Sequence, residues 1–324
     1  MVSTTPHLTD LKQLYQTGDR LFDRGQLETA LKIFQSALEI TLTSNNFQQQ
    51  INTLNRIGLV YCRLGKYEGA LNFLSLALQL AEKVDYQLQV GMIFNDIGET
   101  YCLSIEYASA LRYYAQALEI FQNISYPIGM GITFNHLGEI YNLLGLFDEA
   151  LNCCQKSLDI FHRIERKSEF EKLISQITIA KALHNIGEAY FGLGLSTQAK
   201  DILELALVMR HKIYKIAMKR FSKSRDNLSE IFLKDTQYYS YTSAEKPQLN
   251  PQEEDDCDRS IIAQHKVDLA NTINLIELVY RNLGQQQKAD KFHQQNLKLT
   301  ENLSHKYQIY NISTLPFYLR FSSQ

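Results

Sequence analysis

Asparagine and glutamate recur four residues apart in this chain, as Asn95 with Glu99 and as Asn135 with Glu139. Asn55 opens a similar pair whose second place is Leu59. Further on, His184 stands at the asparagine place with Asn185 beside it, and Glu188 keeps the acidic place; Asn274 holds the first place once more. Residues at i, i+4 and i+7 of a helix share one stripe. Asn95, Glu99 and Cys102 therefore align, as do Asn135, Glu139 and Asn142. A carboxamide carries both a donor and an acceptor, the pair that holds an extended peptide main chain. The same amides can instead bond an adjacent helix, and the sequence leaves both roles open. Glu99, Glu139 and Glu188 would make such a surface acidic and favour a ligand bearing Lys or Arg, unless they form a solvated face.

Other chemistry finds little support. The sequence has no His-Glu-x-x-His, no Gly-x-Ser-x-Gly and no phosphate loop. Gly192-Leu193-Gly194 imitates the start of a dinucleotide loop, but it closes a helical pattern instead of following a strand. The cysteines, Cys62, Cys102, Cys153, Cys154 and Cys257, are odd in number and lack a Cys-x-x-Cys pair. Neither a disulfide framework nor a zinc site is expected, and reduced thiols in a cytoplasm fit better. Cys62 and Cys102 occupy equivalent places and read as small packing residues, while Cys153 and Cys154 point to different helical faces. No metal or other cofactor is expected, and the class is non-catalytic.

The elements that position the polar stripe follow from glycine and proline. Gly18, Gly58, Gly98 and Gly138 are forty residues apart, and Gly187 follows after forty-nine. Three residues on stand Leu21, Tyr61, Tyr101, Tyr141 and Tyr190; seven on stand Gly25, Gly65, Ile105, Gly145 and Gly194. Twelve on comes alanine each time, Ala30, Ala70, Ala110, Ala150 and Ala199; sixteen on come Phe34, Leu74, Tyr114, Cys154 and Leu203. Gly98 and Tyr101 share one helical face, and Ala110, Tyr114 and Ala117 share one on the next helix. Small residues let two helices approach and the aromatic fills the space beside them. Gly65 and Gly145 sit where a first helix ends, while Ile105 predicts a looser third turn. Only five prolines occur, all at termini or connections, which suits an all-helical chain.

This pattern resembles the tetratricopeptide repeat, over residues 8–213 and, in worn form, 263–304. The usual period is about 34 residues, so each unit here carries about one extra turn. The longer form is similar to the repeats of kinesin light chain and of bacterial Rap-type regulators. The resemblance implies an all-α, right-handed superhelical solenoid of antiparallel helix pairs. It places Asn55, Asn95, Glu99, Asn135, Glu139, Asn142, His184, Glu188 and Asn274 on a concave peptide-binding groove.

The remaining chain departs from the pattern. The nine-residue excess before Gly187 is best absorbed by longer helices, and Cys154 and Ser157 predict weaker packing in the fourth unit. Residues 214–262 read as a partly flexible insertion, with a short helix over 227–233 and the cluster Tyr238-Tyr239-Ser240-Tyr241 as a loop or docking strand. In the worn repeat Glu277 replaces the glycine and His293 the aromatic; residues 305–324 read as an aromatic tail or cap. The net charge of -2 argues against a general nucleic-acid binder, and no basic stripe recurs along the helices. No apolar run approaches a membrane span, no secretory signal opens the chain, and a cytoplasmic location is expected. The function implied is an adaptor or scaffold holding a protein or peptide segment. The alternative is a regulatory sensor whose curvature responds to a ligand and controls a partner enzyme.

Overall fold

The structure is a computed structural model and describes residues 6–23, 25–44, 46–165, 168–223 and 251–300. Among these residues there are twelve α-helices and no strand. They are α1 (Pro6–Asp23), α2 (Leu27–Thr43), α3 (Phe47–Arg63), α4 (Tyr67–Lys83), α5 (Gln87–Leu103) and α6 (Tyr107–Asn123). Then come α7 (Pro127–Leu143), α8 (Phe147–Arg163), α9 (Glu169–Gly192), α10 (Ser196–Lys223), α11 (Pro251–Asn282) and α12 (Gln286–Thr300). Two compact units divide the chain: the first takes its described residues from 6–133 and 251–260, the second from 134–223 and 261–300.

Within each unit, helices pair through one repeated contact between positions sixteen apart. A Cβ added to Gly98 would lie 2.7 Å from Tyr114 Cε1; one on Gly58 would lie 2.8 Å from Leu74 Cγ; one on Gly138 would lie 2.3 Å from Cys154 Sγ. Tyr114, Leu74 and Cys154 are all buried, so the glycine is what admits them. Cys154 and Ser157 are both fully buried in the fourth pair. The rings at the tyrosine place stack on the second helix, Tyr61 on Phe73 at 5.3 Å and Tyr101 on Tyr113 at 5.4 Å between centroids. In the last pair the two departures meet each other. His293 Nδ1 lies 3.1 Å from Glu277 Oε2, and Arg281 Nη2 lies 2.9 Å from Glu277 Oε1. A polar contact thus replaces glycine against an aromatic ring at the same spacing.

The first helices end in a turn that satisfies two orphan carbonyls. Gly65 N donates to Cys62 O at 2.9 Å and Lys66 N to Tyr61 O at 2.9 Å, with Gly65 left-handed at φ 71°. Ile105 does not loosen its turn, contrary to expectation. Ile105 N still donates to Cys102 O at 3.1 Å and Glu106 N to Tyr101 O at 2.8 Å, with Ile105 held at φ 67°. A β-branched side chain there is strained, and this one is largely exposed. Ile105→Gly should therefore stabilise the chain. Relief of about 1–2 kcal/mol is partly offset by glycine's freedom when unfolded, leaving about 0.5–1 kcal/mol. A chemical-denaturation midpoint that falls or stays fixed would defeat this account.

The extra residues before Gly187 lengthen a helix, as expected: α9 has 24 residues, against 17 in each of α2 to α8. Ser168 starts α9 with a reciprocal cap, its Oγ accepting from Glu171 N at 3.0 Å while Ser168 N donates to Glu171 Oε2 at 3.2 Å. The ends of the expected insertion are helical, up to Lys223 in α10 and from Pro251 in α11. The tyrosine cluster at 238–241, the expected helix at 227–233 and the tail at 305–324 lie outside the described residues.

Candidate functional site

The asparagines of the polar stripe join successive first helices. In the first unit Asn55 Nδ2 donates to Asp96 Oδ2 at 3.0 Å, linking α3 to α5. Asn95 Oδ1 accepts from Thr133 Oγ1 at 3.1 Å, linking α5 to α7. In the second unit Asn135 Nδ2 donates to Thr178 O at 2.9 Å. Asn142 Nδ2 donates to Asn185 O at 2.8 Å and to Glu188 Oε2 at 3.2 Å. All four asparagines are buried. Of the two roles the sequence left open, bonding the adjacent helix is the one this geometry displays. Asn274, half-buried, is held by Asn296 Nδ2 on α12. Glu99 is half-buried on α5.

Glu139, His184 and Glu188 stand in different surroundings. In the second unit, α9, α10 and α11 enclose a cavity of ≈ 270 Å³. From α9 it is lined by Ile177, Ala180, Lys181, His184 and Asn185; from α10 by Arg210 and Ile213; from α11 by His265, Asp268 and Asn271. Lys181 Nζ lies 2.8 Å from Glu139 Oε2 on α7. Arg210 is 9% exposed. Its Nη1 donates to the Asp268 carbonyl and to Thr272 Oγ1, and Thr272 Oγ1 lies 3.4 Å from His184 Nδ1. Among the described residues the rest of the Arg210 guanidinium makes no hydrogen bond.

Burial and the two cations set the electrostatics. His184 is held well below the usual imidazole range by burial, then by Arg210 and Lys181. His136 on α7 is brought down to about 3 by burial and Lys181, against Glu139. His265 is lowered by burial and Arg210, with Asp268 opposing. Burial also lowers Arg210 itself, and the nearby carboxylates Asp268 and Glu139 do not offset it. Burial pushes Glu139 upward, but Lys181, His136 and Arg210 outweigh it and hold the carboxyl low. Glu188 is pushed up to about 8 by burial and by Glu139, against the Asn142 hydrogen bond. In the second unit Lys181 therefore pairs with Glu139, and burial favours the neutral form of Glu188.

Lys181, Arg210, His265, Asp268 and Asn271 were not found from the sequence. Lys181 carried a signal, since it lies on the 177, 181, 184, 188 stripe of α9. The others sit where the repeat pattern fades. Among the described residues no group of three or more His, Cys, Asp or Glu is arranged to hold a metal ion. No helix among them is long and apolar enough to cross a membrane.

Family models of the tetratricopeptide repeat match residues 49–123, 132–164 and 180–209. The chain is a tetratricopeptide-repeat protein. These matches run from α3 to α10, the helices that carry the glycine ruler from Gly58 to Gly187. No curated protein sequence matches the chain. Solved structures share the fold of this repeat protein at low identity. BtubC (BKLC) from P. vanneervenii aligns at 19% identity and TM-score 0.54, over 62% of this chain and 80% of that one. A Rap protein complexed with Competence and Sporulation Factor aligns at 14% identity and TM-score 0.58, over 94% and 78%. NprR in complex with its cognate peptide NprX aligns at 13% identity and TM-score 0.58, over 99% and 75%.

Proposed function

We propose that this tetratricopeptide-repeat chain is a non-catalytic interaction protein that holds a peptide segment of a partner at the α9–α10–α11 cavity. The observation that carries this reading is the set of polar groups on the cavity wall, from three helices, that packing does not consume. Among the described residues Arg210 keeps donors in reserve, and His184 and Asn271 add further polar atoms. Two structures of similar fold are complexes with a factor or a cognate peptide, which supports the same kind of ligand here. The thiols suit packing more than chemistry. Burial pushes Cys62 and Cys154 up to about 12, so neither is a nucleophile at neutral pH.

Selection from a displayed random-peptide library tests the proposal. Wild type should enrich a sequence family. Asn271→Ala should weaken its binding about 5–10-fold, the scale of one net hydrogen bond, with an unchanged melting temperature. Failure to enrich any sequence, or equal binding by Asn271→Ala and His184→Ala, would defeat the proposal. Asn95→Ala and Asn135→Ala are poor probes, because those amides brace helices and their loss would report stability.

A further inference from the structure

We infer that the α9–α10–α11 cavity is a carboxylate subsite, taking one acidic group carried by the bound peptide against Arg210 and Lys181. This rests on the peptide reading above and adds the charge of the ligand to it. Three observations converge. Arg210 is a buried guanidinium on the cavity wall that, among the described residues, uses only Nη1, for the Asp268 carbonyl and Thr272 Oγ1. A guanidinium with donors to spare matches a carboxylate in shape and charge. Second, the charged groups that lower His184 on the wall are cations, Arg210 and Lys181, the latter also paired with Glu139 at 2.8 Å. Third, the cavity of ≈ 270 Å³ falls below the span of drug-sized sites and suits one side chain or a chain terminus.

Asp268 sets an upper limit on the charge. It lines the same cavity and partly compensates Arg210. A phosphate, with nearly two negative charges at neutral pH, would face that carboxylate more severely than a single carboxylate does. The nearest chemistry that satisfies Arg210 without overloading the site is one carboxylate.

The test uses the full chain and peptide pools with Glu, Gln or Lys fixed at the centre and other positions randomised, with glutarate and inorganic phosphate as free anions. Wild type should bind the Glu pool about ten-fold or more tighter than the Gln pool, the scale of a charge-assisted hydrogen bond. Lys181→Met should reduce that preference. Asp268→Asn should raise affinity for the Glu pool several-fold, a gain that a purely structural Asp268 would not give. Arg210→Met should abolish the preference; if that variant fails to fold, the other two decide. Equal binding of the Glu and Gln pools would overturn the subsite and leave the peptide reading intact. A preference for the Lys pool, or better competition by phosphate than by glutarate, would overturn the carboxylate assignment. Stabilisation by glutarate with no peptide pool bound would overturn the peptide-borne source and the proposed function together.

Discussion

Glu188→Gln should raise the melting temperature at pH 8.5 and leave it nearly unchanged at pH 4. Glu188 is buried between α7 and α9, with Asn142 Nδ2 at 3.2 Å, and its carboxyl is pushed from 4.5 up to about 8 by burial and then by Glu139. A raised folded value gives stability that is whole below the unfolded value and is lost as pH climbs through the folded one. The loss therefore develops between pH 4.5 and about 8. A tenfold change in proton affinity is worth about 1.4 kcal/mol, so the loss is on the order of 3 kcal/mol by pH 7 and 4–5 kcal/mol above pH 8. Glutamine keeps an acceptor for Asn142 and cannot ionise. At roughly 2–4 °C per kcal/mol for a unit of this size, the gain is easily read by calorimetry. Other groups titrate in the same range, so the diagnostic quantity is the difference between variant and wild type. A difference that stays constant from pH 4 to pH 9 would show that Glu188 does not titrate there.

The pairing of helices was legible because it depends on spacing along the chain. Gly98 and Tyr114, sixteen apart, meet wherever two antiparallel helices share a short turn, and even Glu277 and His293 keep that appointment with different chemistry. The role of the asparagines was not legible for a physical reason. Helical period puts Asn95 and Asn135 on one face, but what covers that face depends on the rotation of the next helix. Here it brings Thr133 to Asn95 and the Thr178 carbonyl to Asn135. The cavity was hidden differently. Arg210 and Asp268 lie on the lengthened α10 and α11, 58 positions apart, with no repeat to relate them. Ile105 shows the opposite case, where residue preference predicted a loose turn and the two hydrogen bonds of the turn won.

Arg56→Ala should destabilise the first unit by about 3–5 kcal/mol, because it breaks a buried ion pair from one side. Arg56 on α3 is buried, and its Nε and Nη2 donate to Asp19 Oδ1 at 2.8 Å and Oδ2 at 3.1 Å. Its Cζ sits 4.6 Å from the centre of the Tyr15 ring, whose hydroxyl is itself tied to Thr53 Oγ1 at 2.5 Å and Gln49 O at 3.0 Å. Burial alone would lower the proton affinity of Arg56, but the Asp19 charge and hydrogen bonds reverse this and raise it. Alanine removes the cation, strands the Asp19 carboxylate and leaves a void beneath Tyr15 and Phe34. The double variant Arg56→Met/Asp19→Asn removes both charges and keeps volume, so it should be clearly more stable than Arg56→Ala. Repeat arrays lose local stability one unit at a time, so a single global midpoint understates the effect. Hydrogen exchange resolves it. Protection should fall in α1 to α3 and persist in α9 and α10. Uniform loss across all helices, or a double variant as unstable as the sum of its single substitutions, would show that the pair is not the coupled unit described.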